Sequence, residues 1–368
     1  MRTLTTKLTT STAIALFGTM VATAALADGN VAGIKQNGDD NKAVFQQDRQ
    51  TGKNAGASNE GYLLQNGDDN EVTLKQGNAD VTTAPPSDGN DFGTLADPVR
   101  QQGDHNVIFV DQDDLHTTRN KVGTHGSGFD QVGDRNEASI RQLNNRNEVR
   151  EIQQNSVNDG TGTLRNDLTI TQGVAGTSYG YNRIFEVSQF RTGNGAENTM
   201  VLQQGVQRNV IGLAKQRGDA NDTRIEQDGL GNVVGSSQQI GNGNAIRASF
   251  VGDENGRVDP PGVEINPVAD PATFSSSVTS AVGLDQGNLY QSGDNNDMRL
   301  TVTGDNNLFA VAQWGDVNDA RGTITGNLNE LAVRQNGNAN FAMATMTGDS
   351  NVAGISQLGN GNYSSVSQ

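Results

Sequence analysis

Apolar and polar residues alternate along this chain with a period of two, in short runs that restart at a recurring asparagine. Counted from that asparagine, positions +2, +4 and +6 are apolar or glutamine. Asn307 is followed by Phe309, Val311 and Gln313; Asn329 by Leu331, Val333 and Gln335; Asn351 by Ala353, Ile355 and Gln357. Asn296 leads Met298, Leu300 and Val302, and Asn340 leads Ala342, Ala344 and Met346. The N-terminal half obeys the same rule: Asn41 with Ala43, Phe45 and Gln47; Asn70 with Val72, Leu74 and Gln76; Asn106 with Ile108, Val110 and Gln112. A period of two is that of a β-strand. One face is thus narrow, half apolar and half amide. The other, as in Asp297-x-Arg299-x-Thr301 and Glu330-x-Ala332-x-Arg334, faces solvent. On this parity a charge at Val333 breaks the fold, whereas one at Ala332 is nearly silent.

The strands are punctuated by Gln-x-Gly-x-x-Asn. The motif joins Gln36 to Asn41, Gln65 to Asn70, Gln101 to Asn106, Gln131 to Asn136, Gln216 to Asn221 and Gln227 to Asn232. It recurs from Gln239 to Asn244, Gln291 to Asn296, Gln313 to Asn318, Gln335 to Asn340 and Gln357 to Asn362. Phe250, Val302, Ile324 and Met346 take the glutamine place in further copies. Steps of 11 residues run from Gln291 to Gln368, with Gln alternating with an apolar residue as far as 357, so the repeat there is 22 residues. Gly304-Asp305-Asn306 and Gly348-Asp349-Ser350 are typical turns, of residue types that tolerate positive φ. Two short strands and two tight turns per repeat imply an all-β fold, a flattened β-solenoid of two-strand rungs stacked about 4.8 Å apart. Stacking aligns the motif residues in columns, Gln368 included. Stacked amides each donate to one neighbour and accept from the other, so buried polar groups stay satisfied.

Residues 48–60, 77–99, 113–128, 156–166 and 173–181 interrupt the phase, and the longest gap, 256–285, holds Pro260, Pro261, Pro267 and Pro271. Such insertions are expected as loops extruded at turns. The chain is therefore divided into 1–27, a leader; 28–255, repeats with insertions; 256–285, a Pro-rich insertion or linker; and 286–368, regular repeats. Arg2 and Lys7, the apolar stretch Ala13 to Ala25, and Ala25-Leu26-Ala27 before Asp28 form a secretory signal pattern, with cleavage expected between Ala27 and Asp28.

Composition explains why amides must do structural work. Among 368 residues there are 46 Gly, 42 Asn, 28 Gln and no Cys, with only 33% hydrophobic. That leaves little to fill an ordinary core. The net charge of −16 lacks the basic footprint of a nucleic-acid binder. Leader removal takes it to about −18. No later segment reaches the roughly 20 apolar residues of a membrane helix.

The unit Gln-x-Gly-x-x-Asn-x-Ala-x-x-x-Gln resembles the curlin repeat of bacterial curli subunits. Gln131-Val-Gly133-Asp-Arg-Asn136-Glu-Ala138-Ser-Ile-Arg-Gln142, Gln335-Asn-Gly337-Asn-Ala-Asn340-Phe-Ala342 and Gln313-Trp-Gly315-Asp-Val-Asn318-Asp-Ala320 are close copies. The resemblance covers about 30–255 and 286–368. It implies a curlin-type, amyloid-like β-helix that is secreted, leaves through the outer-membrane curli pore, and polymerises into adhesive cell-surface fibres of the biofilm matrix. Its partners would be further copies of itself, other curlin subunits and a nucleator. The chain is longer than the usual five-repeat subunit and carries Pro-rich insertions, so a nucleator or minor subunit fits the pattern as well.

Other chemistry is sparse. No Gly-x-Ser-x-Gly, Walker loop or His-Glu-x-x-His occurs, and neither an enzymatic activity nor a cofactor is expected. His105, His116 and His125 would form a metal cluster only if the 106–128 segment folded back, and solvated turn positions suit them better. Gly-Asp turns place Asp39, Asp68, Asp104, Asp134, Asp219 and Asp294 in register; stacked carboxylates could recruit Ca²⁺, but the calcium β-roll has a different repeat length, and charge that deters premature pairing is the favoured role. Trp314 sits in a turn as a packing residue. A monomeric adhesin that binds through its loops is the main competitor of the fibre, and an exported β-helix polysaccharide enzyme a weaker one. The last rung, ending at Asn362 to Gln368, has no Pro or capping helix after it in the sequence, which favours an open growing edge.

Overall fold

The computed structural model describes residues 20–23, 31–47, 59–78, 90–114, 120–124, 128–144, 146–156, 165–174, 182–191, 196–256, 274–275, 278 and 282–368. The chain forms two compact units, residues 1–194 and 195–368. The boundary falls inside the stretch 28–255 that the repeat pattern treats as continuous.

Each unit is a stack of coils, and each coil gives one strand to each of two parallel sheets. In the second unit one sheet runs Asn198–Gln204, Asp222–Asp228, Ala245–Val251, Asp297–Thr303, Asp319–Thr325, Phe341–Thr347 and Tyr363–Ser367. The other runs Val210–Arg217, Val233–Ile240, Asn288–Ser292, Leu308–Trp314, Glu330–Asn336 and Val352–Leu358. The register is in phase: Val311 lies on Val333 and Val333 on Ile355, with Gln313, Gln335 and Gln357 beside them. The first unit repeats the plan, with Lys42–Gln47, Glu71–Asn78, Val107–Asp114, Glu137–Gln142 and Asn166–Gln172 in one sheet. The expected β-solenoid is the observed fold.

The core lies between the sheets and is built from the even positions. Phe309, Leu331, Ile324 and Met346 are inaccessible to solvent, as are Ile108, Ile140 and Ile170 in the first unit. Glycine opens each turn for two reasons. At Gly326 φ is +120°, and a Cβ there would lie 2.1 Å from the carbonyl oxygen of Gly348 in the next coil. Neither the backbone angle nor the spacing admits a side chain.

Three features depart from the sequence expectations. First, insertions leave from the middle of strands as well as from turns. Asp91–Phe92 and Val99–Gln102 both pair with Glu60–Asn66, so the residues between them are an excursion from one strand. Lys121–Val122 and Phe129–Val132 pair with Glu148–Asn155 in the same way. Phe92 and Val122, inside segments read as loops, are fully buried. The Pro-rich segment is likewise an excursion: Gly256 and Gly287 both donate to the next coil, to Asn307 O and Phe309 O, and the chain resumes at Asn288–Ser292.

Second, some strands carry one extra residue. In Val210–Arg217 and Val233–Ile240 the positions buried after the first residue, itself buried, are Ile211, Ala214 and Gln216, and Val234, Ser237 and Gln239. Asn-to-Gln spacing grows from six to seven there, a bulge stacked on a bulge. The same shift places Val149, Ile152 and Gln154 inward in Glu148–Asn155.

Third, part of one outer face is covered. Phe274, Val278 and Val282, from the Pro-rich insertion, pack on Leu308, Ala310 and Ala332, with Leu284 against them. Ser275 N donates to Glu330 Oε2 at 2.8 Å, and Arg334 Nη1 to Val282 O at 3.5 Å. Ala332 is 1% exposed, so the expectation that it tolerates charge is overturned by this strap.

Met20–Thr23, inside the segment read as a leader, pairs antiparallel with Val31–Asn37. The proposed cleavage positions, Ala27 and Asp28, lie outside the described residues.

Candidate functional site: amide ladders and strand edges

The glutamines stack as expected. In the first unit Gln36 Nε2 donates to Gln65 Oε1, Gln65 to Gln101, Gln101 to Gln131, Gln131 to Gln154 and Gln154 to Gln189, at 2.6, 2.8, 2.9, 2.7 and 3.0 Å. A second column joins Gln47, Gln76, Gln112, Gln142 and Gln172. In the second unit the chain of donors runs Gln216, Gln239, Gln291, Gln313, Gln335, Gln357, each step between 2.8 and 3.0 Å. Gln204 donates to Gln227, and that column then turns apolar: Phe250, Val302, Ile324 and Met346 follow in register. Gln368 does not join a glutamine ladder; its Nε2 donates to Val352 O, and the side chain is exposed.

The asparagines run the opposite way. Asn329 Nδ2 donates back to Asn307 Oδ1 at 3.0 Å and sideways to the turn carbonyl of Gly348 at 2.9 Å. Its own Oδ1 accepts the backbone N–H of Asn351 at 2.9 Å. The same bonds link Asn41, Asn70, Asn106 and Asn136 in the first unit. In the second they link Asn221, Asn244, Asn296, Asn318, Asn340 and Asn362. Asn232 belongs to a parallel column with Asn209, Asn255, Asn307, Asn329 and Asn351. Asn244, Asn296 and Asn329 each thereby satisfy an otherwise orphaned N–H and turn carbonyl.

Several ladder members escape the motif: Asn59, Asn90, Asn120, Asn147, Gln154 and Gln189. Backbone N–H groups of Asn90, Asn120 and Asn147 donate to Oδ1 of the preceding column member at 2.8, 3.2 and 3.0 Å. Here loops replace the Gly turns, and the column is imperfect: Asn120 Nδ2 is buried without a partner. Asn-to-Gln spacings of six or seven would have found Asn59, Asn147, Gln154 and Gln189, but not Asn90 or Asn120, whose strands are interrupted before a glutamine is reached.

The turn carboxylates form a third kind of column. Asp68 Oδ1 accepts from Asp39 N, Asp104 from Asp68 N and Asp134 from Asp104 N, at 2.7 to 2.9 Å. Asp294 Oδ1 accepts from Asn242 N at 2.7 Å, and Asp219 N donates to Asn242 Oδ1. One oxygen of each accepting carboxylate is thus committed to the ladder. Among the described residues no three His, Asp or Glu side chains gather as a metal site. His105 sits in a turn with Nε2 3.3 Å from Asp69 Oδ2; His116 and His125 lie outside the described residues. Trp314, at the end of Leu308–Trp314, packs against Tyr290 with ring centroids 5.5 Å apart and planes tilted by 40°, and lies under the Arg334 guanidinium at 5.5 Å.

Charge is held on the outer faces. Lys42 pairs with Glu71 at 2.5 Å, and Arg321 with Asp319 at 2.7 Å, the bond that raises the Arg321 pKa. Asp130, on an outer face between the buried Phe129 and Gln131, is itself half-buried. Burial pushes its carboxyl above the usual range, against the opposing pull of Arg100 at 3.8 Å.

The terminal coil ends in a polar edge of defined sense. The residue after each column asparagine donates forward: Asp297 to Asn318 O, Asp319 to Asn340 O, Phe341 to Asn362 O, and Glu330 to Asn351 O. Val352 and Tyr363 hold the same place in the last strands of their sheets, and their N–H groups point away from the stack. Asn362 and Gln368 instead turn their N–H groups inward, to Asn340 Oδ1 and Thr345 O. No helix among the described residues is long and apolar enough to cross a membrane. No protein-family model matches this chain, and no curated protein matches it either.

Proposed function

We propose that this chain is an exported structural subunit that self-assembles into curli-like cell-surface fibres, acting in adhesion and the biofilm matrix. The observation that carries this reading is the in-register stacking of like coils on amide ladders, in which the residue after a column asparagine donates to the next coil, as Asp297, Asp319 and Phe341 do, a geometry that a further copy can extend. Unpaired edges template further strands. The amide columns give such pairing a register, because Asn362 offers its Oδ1 in the way that Asn340 and Asn318 offer theirs. The curlin-like repeat supports the same conclusion. Removal of residues 1–27 would also take away Met20–Thr23 and bare the edge of Val31–Asn37.

The test is assembly of purified protein lacking residues 1–27. Filaments with a strand repeat of about 4.8 Å along the fibre axis, shortening the lag when added back as seeds, are expected. A protein that stays monomeric at high concentration, seeded or not, is an adhesin or something else.

A further inference from the structure

On the second unit, Asp297–Thr303, Asp319–Thr325 and Phe341–Thr347 stack in register and turn the same two positions outward. Those positions are Thr301 and Thr303, Thr323 and Thr325, Thr345 and Thr347: six threonines out of six. The chain has 32 threonines in 368 residues, so composition does not produce this. Five of the six are exposed and Thr345 is half-buried. None of the six hydroxyls bonds to another described group. Between each pair an inward Val302, Ile324 or Met346 anchors the strand from behind.

The result is a two-dimensional lattice. Its repeats are about 4.8 Å across coils and about 6.7 Å along each strand. Outward side chains stay aligned from coil to coil: the rings of Phe341 and Tyr363, neighbours on the same face, lie 8° from parallel. Asn318, Asn340 and Asn362 continue their ladder at 3.1, 3.0 and 2.8 Å without drift. Threonine is β-branched and stiff at χ1, so each hydroxyl and methyl holds its place. The array carries no charge; the adjoining Arg299 and Arg321 are tied to Asp297 and Asp319. On the other sheet the outward Leu308, Ala310 and Ala332 are covered by the strap of Phe274, Val278 and Val282, whereas nothing described covers the threonines.

Protein interfaces pack an apolar, aromatic-rich core inside a polar rim, which this hydroxyl face does not offer, and a flexible polymer repeats along one axis only. A neutral array periodic on two axes matches a partner that is itself a lattice. Each hydroxyl offers water one donor and two acceptor sites, and fixing a water there costs at most about 2 kcal/mol. Hexagonal ice has oxygen rows with repeats close to both of these spacings. We infer that the Thr301–Thr347 face orders water and adsorbs to ice. This site is separate from the strand edges and does not depend on fibre formation.

Slow freezing of a solution of the labelled full chain on a cold surface measures the share taken into ice. The chain should be enriched in the ice fraction over an unrelated globular protein. Thr323→Lys with Thr325→Lys should reduce it to the level of that control, with unchanged circular dichroism. Thr323→Ser, which keeps the hydroxyl and removes the methyl, should be intermediate, and Ser356→Lys on the opposite sheet should have no effect. Exclusion of the wild-type chain from ice, equal partition of the Thr323→Lys/Thr325→Lys variant, or adsorption to crystalline cellulose but not to ice would each overturn the inference.

Discussion

Val333→Asp prevents the second unit from folding, while Ala332→Asp, one residue away, releases only its strap. Val333 lies between Val311 and Ile355, 1% exposed, with no cation in the column. A carboxylate there is buried without a partner, a cost above about 4 kcal/mol. Neighbouring coils cannot move aside, because the Gln313–Gln335 and Asn307–Asn329 bonds fix the spacing on both sides. Ala332 is as well buried, but beneath Phe274, Val278 and Val282 rather than between the sheets. The strap can lift, so the cost is capped by its docking energy, on the order of 2–3 kcal/mol for those apolar contacts. Circular dichroism and limited proteolysis separate the two outcomes: loss of β signal for Val333→Asp, and retained β signal with cleavage near 257–285 for Ala332→Asp. Equal effects would contradict the division into inner and strapped faces.

Asn329→Ala costs more than Gln335→Met, although both delete one rung of an amide ladder. Asn329 bonds backbone groups as well as its own kind: it accepts from Asn351 N and donates to Gly348 O. Alanine leaves both orphaned, with a loss of about 2–4 kcal/mol. Gln335 receives from Gln313 and donates to Gln357 and to Asp319 O at 3.1 Å, so it meets one backbone group where Asn329 meets two, and Gln313 Nε2 keeps a second acceptor in Asp297 O. Methionine there should cost roughly 1–2 kcal/mol. The chain has already made this exchange: Phe250, Val302, Ile324 and Met346 fill the glutamine place, while Asn255, Asn307, Asn329 and Asn351 persist in the same coils. Urea unfolding of both variants gives the ranking. A Gln335→Met variant as unstable as Asn329→Ala would mean that the glutamines hold the turns too.

Most of the fold is legible in the sequence because the repeat is a direct image of the stacking. A column asparagine has the same task in every coil, so the same residue recurs at a fixed step, and the parity of Phe309, Val311 and Gln313 reads out the inner face. What escapes is whatever breaks the step without breaking the stack. An extra residue in Val210–Arg217 shifts the inward set to Ile211, Ala214 and Gln216, and only its partner bulge in Val233–Ile240 makes that cheap. The excursion between Phe92 and Val99 hides a strand in two halves, joined only through Glu60–Asn66. The strap over Ala332 is a long-range contact with no local signature. The threonine lattice was present in the text as three Thr-x-Thr pairs at the repeat step, but parity classes them simply as solvated.

Growth at the terminal edge is where the account of this molecule is most exposed to test. Elongation from wild-type seeds, followed by thioflavin fluorescence, should be measured with Val352→Pro/Tyr363→Pro protein. Proline is tolerated on an edge strand when its missing N–H faced solvent, so the variant should fold with an unchanged melting temperature. It removes the forward donors that the next coil would use, so elongation should fall close to the seed-free rate. Asn362→Pro/Gln368→Pro, by contrast, removes N–H groups that bond inward to Asn340 Oδ1 and Thr345 O, and should loosen the last strand itself. A Val352→Pro/Tyr363→Pro protein that is folded and elongates at the wild-type rate would contradict assembly through this edge.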